Sequence, residues 1–277
     1  MSTATTAPNP SKPSTSRAPS FSPQRMLHLA RWNAVLLGRN KLSLLYAVVL
    51  PLAPLALLLA GDQGDESIGA QAATTMLLVT VLFPVYYNVL SQFVSRRDEL
   101  VLKRMRTGET RDAELLVGIA LPGVVIAAGI MVVGVIAAWA AGQMLPVVPL
   151  LLAAGVLLAL VMFAAFAYWT AAWTRSAESA QMTSLPIILI ASVGPLGAAM
   201  TNLPDVVSQV IERTPGAAMG ELIRVAWFGL DGVTATESTL STADAWSAAG
   251  SPLLVMAAWT LLAVGLAQHS MRWEPRS

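Results

Sequence analysis

The sequence predicts an all-α membrane protein. It has six transmembrane helices, an N-terminal helix in the membrane interface, and short re-entrant or amphipathic outer helices before the last span. Three observations predict this class. First, the chain is 55 % hydrophobic and only 12 % charged, with a mean hydropathy of +0.63, against roughly 25 % charged residues in soluble domains. Second, from Leu42 onward long apolar stretches carry almost no Asp, Glu, Lys or Arg. Third, the basic residues fall in alternate gaps between those stretches. Fifteen of the seventeen Lys and Arg lie before Leu42, between Ser95 and Glu114, at Arg175 or at the extreme C-terminus, and only Arg213 and Arg224 lie elsewhere. Positively charged loops on one side are what sets the orientation of a polytopic membrane protein.

Residues 1–24 are Ser, Thr or Pro at fifteen positions, with Phe21 as the one large apolar residue. Such a segment cannot bury enough surface to offset its ordering entropy, and it is expected to be a disordered cytoplasmic tail. It lacks the apolar core of a signal peptide. From Arg25 to Arg39 the pattern becomes helical. Arg25, His28, Arg31 and Arg39 share one arc, with Trp32 beside them, while Met26, Leu27, Ala30, Ala34 and Leu37 lie opposite. A basic, partly amphipathic helix directly before a span reads as interfacial and in contact with anionic lipid.

A hydrocarbon core of about 30 Å needs roughly 20 helical residues. The expected spans are 42–60, 68–94, 114–140, 148–174, 182–200 and 248–269, within a membrane domain covering 25–277. Pro51 and Pro54 interrupt the first, and Pro186 and Pro195 the fifth; bundle packing tolerates such breaks. Six spans put both termini on one side. With the termini cytoplasmic, the inner segments hold fifteen basic and seven acidic residues and the outer ones two basic and nine acidic. The inverted topology would place the basic 95–114 loop outside, against the charge rule.

Two connections can hold structure. In the inner one, Leu100, Leu102 and Met105 interleave with Lys103, Arg104 and Arg106, so a short helix can continue below the second span. Thr107-Gly108 offers a stop, and Thr110, Asp112 and Glu114 suit the next N-terminus. The outer connection contains two amphipathic pieces, Asp205–Arg213 and Pro215–Gly229, the second opened by Thr214 as N-cap with Pro215 at N1. Leu222, Val225, Trp227 and Phe228 predict packing on, or partial re-entry into, the membrane.

The chemistry excluded is as informative. There is no Cys, so no disulfide, thiolate site or cysteine nucleophile. The two histidines, His28 and His269, lie far apart in sequence at membrane boundaries. No nucleotide-binding phosphate loop, nucleophile elbow or zinc-protease motif occurs, and the spans carry no acid or base of the kind that couples a transporter to protons. An enzyme is therefore not expected. The spans do carry Tyr86, Tyr87, Asn88 and Gln92, which either line a substrate path or pack between helices. Tyr168 and Trp169 read as an aromatic belt, and Gly118, Gly123, Gly129 and Gly134 as sites of close helix contact.

These residues together resemble the ABC-2 type permease family, the membrane subunits of ATP-binding-cassette exporters. The resemblance covers essentially the whole chain after residue 24. Leu37-Gly38-Arg39-Asn40 before a proline-containing first span is similar to the family's LLRN lead-in. RRDELVLKRMRTGE followed by ELLVGIAL looks like the stretch between spans two and three, in the variant found in bacterial drug-export permeases. TPGAAMGELIRVAWFG is similar to the NP…EAIR…L.G element before the last span, and MRWEPR to the short basic tail. Two positions depart from the pattern: Leu100 follows Glu99 where many members continue to Gly-Thr, and Thr214 replaces an Asn.

The resemblance implies a multi-pass bacterial plasma-membrane protein. A second copy, or a sister permease, would complete the translocation path. ATP and Mg would be bound by a separate cytoplasmic ATPase subunit, with no cofactor in this chain and no nucleic acid. Arg97, Asp98, Glu99, Leu100, Leu102, Arg104, Met105 and Arg106 would couple to the ATPase, together with the interfacial helix through Arg25, Arg31, Trp32 and Arg39. A path of low charge favours amphiphilic or apolar cargo such as a drug, antibiotic or lipid. A secondary transporter, or a polytopic membrane protein that transports nothing, is the alternative that the residues alone leave open.

Overall fold

The computed structural model describes residues 22–39, 41–60, 64–100, 102, 111–197, 204–232, 235, 237 and 239–271, and the regular elements among them are all helical. Helix α1 is Pro23–Arg39. Helix α2, Lys41–Leu52, passes through a 3-10 turn at Ala53–Ala56 into the short α3, Leu57–Ala60. Helix α4 runs from Glu66 to Asp98 and contains a π-helical segment at Val81–Tyr87. Then follow α5, Asp112–Ala140, α6, Pro149–Trp173, and α7, Ala180–Gly197. The last part of the chain forms α8, Asp205–Glu212, and α9, Pro215–Ile223, the latter prolonged by a π turn at Arg224–Phe228. Helices α10, Thr242–Ala248, and α11, Gly250–Ser270, close the order.

Four of these helices are long and apolar enough to cross a membrane: α4, α5, α6 and α11. The expected first and fifth spans are shorter as continuous apolar helices, Leu45–Ala56 and Ala180–Pro195. The physical reason for the first is its prolines. Pro51 and Pro54 remove the amide donors that the carbonyls of Ala47 and Leu50 would use, and the helix tightens into 3-10 geometry there. The second span is longer than expected, Glu66–Asp98 in place of 68–94. The N-terminal tail was expected to reach residue 24, but Pro23 and Gln24 already belong to α1, with Pro at the first helical position. The remaining expectations for residues 1–21, the Thr107-Gly108 stop, Thr110 and the basic tail after Met271 lie outside the described residues.

Large apolar side chains cover the outside of the bundle. Leu150 is 71 % exposed and Leu261 74 %, an arrangement suited to lipid and costly in water. The interior is aromatic and aliphatic. Helix α6 lies at its centre, packed on α11 and α4, with Phe163 edge-on to both Tyr86 and Phe166. The segment from α9 through Phe228 is buried among α4, α6, α7 and α11, and Leu222, Val225, Trp227 and Phe228 are all within the core. Local chemistry starts α9 as the sequence predicts: Thr214 caps it, its hydroxyl accepting from the amide of Ala217 at 3.3 Å. At the far end, the Trp227 carbonyl accepts from Val147 N and the Trp227 indole donates to Met144 O.

Because lipid offers no hydrophobic drive between helices, close approach at small residues sets the packing. Added Cβ atoms at Gly118, Gly123 and Gly134 would meet Leu29, the carbonyl of Pro84 and Met76 respectively, whereas Gly129 faces open space. A methyl at Gly123 collides with backbone, which cannot rotate away. Gly123→Ala is expected to lower stability by about 1–3 kcal/mol, and Gly129→Ala to be neutral or stabilising by about 0.5–1 kcal/mol. Thermal unfolding of the two variants in the same detergent checks this.

Candidate functional site

One end of the bundle gathers α1, the C-terminal end of α4, the N-terminal end of α5 and the α6–α7 connection. It carries most of the described basic residues, and its chemistry is built from the backbone outward. In α5, Pro122 has no amide hydrogen, so the carbonyl of Gly118 one turn below loses its intrahelical donor. Asn33 of α1 supplies one. Its Nδ2 donates to Gly118 O at 2.6 Å, and its side chain is 2 % exposed. The Oδ1 of the same amide accepts from the Arg96 guanidinium of α4. Asn33 thus joins three helices. Four residues before Gly118, the fully buried Glu114 accepts from Arg25 Nη2 at 3.2 Å and from the amide of Ser22, and its other oxygen accepts from Arg111 N. A carboxylate in the first turn of α5 is also favoured by the helix dipole.

The coupling residues expected from the sequence separate into two groups. Asp98, Glu99 and Leu100 are exposed. Leu100 sits at φ 59°, in the left-handed region that non-glycine residues rarely occupy. Helix α4 ends at Asp98, with Glu99 N donating to Ser95 O, and Leu102 is again helical; the rest of the short helix expected below the second span lies outside the described residues. Arg97 and Leu102 are fully buried. Arg97 turns its guanidinium inward, donating to the carbonyls of Ala171 at 2.7 Å and Thr174 at 2.6 Å. It closes the C-terminal end of α6, whose last carbonyls have no helical partner. Arg97 is thus engaged within the bundle, and Leu102 is packed inside it. Arg104, Met105 and Arg106 lie outside the described residues. Of the interfacial set, Arg25 is engaged by Glu114, while Arg31, Trp32 and Arg39 are exposed; the Trp32 indole donates to His28 Nε2 at 2.9 Å.

The mid-bundle patch also divides. Tyr86 is fully buried, its hydroxyl 3.1 Å from that of Thr170, and so packs between α4 and α6. Tyr87, Asn88 and Gln92 are half-buried, and Gln92 Nε2 donates to Asn88 Oδ1 at 2.8 Å. Tyr168, expected in an aromatic belt, is a buried cross-link: its hydroxyl donates to Leu116 O of α5 and its ring stands edge-on to Phe93. Among the described residues, no group of three His, Asp or Glu could hold a metal ion. Asn33 escapes sequence reading because it breaks the apolar arc of α1 only once. The usable signal was Pro122 four residues after Gly118.

No protein-family model matches this chain, and no curated protein matches it.

At the opposite, acidic end, Glu221 of α9 is half-buried, and burial, with Glu212 and Asp231 nearby, raises its carboxyl above the ordinary range. A raised acid favours the fold while protonated, so that contribution is present at low pH and lost as pH rises through the unfolded and then the folded value. Glu221→Gln is expected to raise the melting temperature above neutral pH and to change it little near about pH 4. Melting curves of both proteins across pH provide the check.

Proposed function

We propose that this chain is the permease subunit of an ATP-binding-cassette exporter: a six-pass plasma-membrane protein with both termini cytoplasmic and the basic end facing the cytoplasm. A separate ATPase would bind ATP and Mg there, and a second permease, identical or sister, would complete the path for an amphiphilic or apolar cargo. The observation that carries the reading is the construction of the basic end. Helices α4 and α5 flank the charged 99–111 segment, and α1 is hydrogen-bonded to both of them through Asn33. On this reading, force applied to that segment acts directly on the basic-end halves of α4 and α5 and on α1, which these bonds join. Asp98 and Glu99 are exposed there, among other exposed charges such as Arg31 and Arg175, and are available to contact a partner.

The acidic end supports the same reading. The turn between α8 and α9 is held by the Trp259 indole, which donates to Arg213 O at 2.8 Å. Trp259 lies nine residues into α11, about 13 Å along its axis. On this reading α8 and α9 form a re-entrant hairpin reaching well into the bilayer from outside. Its exposed tip carries Glu212 and Arg213. Charges at such depth are costly against lipid and belong beside water or protein, which a path between two permeases provides.

Reversing both charges, Glu99→Lys with Arg104→Glu, is expected to leave membrane insertion intact and to reduce ATP hydrolysis by the co-expressed ATPase to its level without permease. ATPase stimulation equal to that of the parent would remove this segment from the coupling role.

A further inference from the structure

We propose that Pro84 and Pro122 form a paired hinge, across which the basic-end halves of α4 and α5, clamped to α1, swing as one unit against α6; the structure holds the latched position. The two prolines lie at one level, because the carbonyl of Pro84 sits against Gly123, the residue after Pro122. Each helix departs from regular α bonding there. Pro84 removes the i+4 donor of the Thr80 carbonyl, and the chain switches to the wider i→i+5 bonding of a π segment. Pro122 does the same to Gly118, whose carbonyl is taken by a side chain from another helix. The seam between them is also incompletely bonded: the buried Nδ2 of Asn88, beside Gly123, has no hydrogen-bond partner among the described residues.

Below the hinge the contacts make one body. Arg25–Glu114, Asn33–Gly118 and Arg96–Asn33 join α1, α4 and α5. Above it, α4 is fixed by close packing of Thr74 against Gly220 and of Gly69 against Gln143 and Phe228. Two latches hold the lower body to α6: Tyr168 Oη on Leu116 O, and Arg97 on the Ala171 and Thr174 carbonyls. Tyr86, two residues from Pro84, also contacts α6, its hydroxyl 3.1 Å from that of Thr170. Proline kinks exceed about 20°. The arm from Pro84 to Glu99 is about 22 Å long, so a swing of that size moves Glu99 by about 8 Å. Two-segment hinging of this kind is an established mode of conformational change. It does not depend on the exporter reading, although an ATPase docked at the basic end would act on this arm.

The chain holds no Cys, so spin labels go only where cysteines are introduced. Electron–electron distances would be measured in nanodiscs, with labelled chain diluted in unlabelled. Glu99→Cys with Gln268→Cys reads the basic end, and Gln71→Cys with Leu254→Cys the acidic end. The parent is expected to give one distance for each pair. Tyr168→Phe with Arg97→Gln should add a second population, shifted by up to about 8 Å, at the basic end alone. Adding Pro84→Ala and Pro122→Ala should remove it. A single unshifted distance in the unlatched variant, or a second population that persists without the prolines, overturns the hinge; so does an equal shift at the acidic end. If the unlatched variant loses its acidic-end distance through misfolding, Tyr168→Phe alone carries the test. It should show a smaller second population at the same distance, and its absence overturns the proposal equally.

Discussion

The structure depends on one constraint: every backbone carbonyl in an apolar helix needs a donor, and this chain places proline where donors are lost. In lipid no water can replace them. Each break is met differently. At Pro122 the donor comes from Asn33 of another helix. At Pro195 the orphaned carbonyl of Ala191 lies against Gly216, so close that no larger residue fits; at Pro51 and Pro54 the helix tightens into a 3-10 turn. At Pro122 and Pro195 a break in helical hydrogen bonding coincides with a close helix contact.

The same constraint changes how charge is read at the basic end. Counting Lys and Arg gives orientation, but three of the side chains there, Arg25, Arg96 and Arg97, are structural. Arg97 supplies donors to the end of α6, Arg96 to Asn33, and Arg25 to a carboxylate buried in the first turn of α5. A guanidinium suits this work because its several fixed donors can satisfy more than one carbonyl at once. What remains for outside contact is a smaller surface, led by Asp98 and Glu99.

Much of the fold was legible in the sequence. Apolar stretches free of charge located α4, α5, α6 and α11, and Thr214-Pro215 located the start of α9, because hydropathy and capping are local properties. Helix length at α2 and α7 was less legible, since proline acts through the residue four positions earlier and not through hydropathy. The candidate site was legible only in outline. Glu99 and Asp98 were found by charge alone. The internal bonds of Tyr168 and Arg97 were not legible, because their partners, Leu116 and the end of α6, are distant in sequence. Asn33 went unnoticed for the same reason.

The central claim is that a neighbouring helix replaces the hydrogen bond that Pro122 removes. The direct measurement is a double-mutant cycle of unfolding free energies in detergent with Asn33→Leu and Pro122→Ala. In the parent background Asn33→Leu strands the Gly118 carbonyl, a loss of about 1–3 kcal/mol. In the Pro122→Ala background the substituted residue brings its own amide to Gly118, and the account predicts that Asn33→Leu then costs at least about 1 kcal/mol less. Equal losses in the two backgrounds would contradict it.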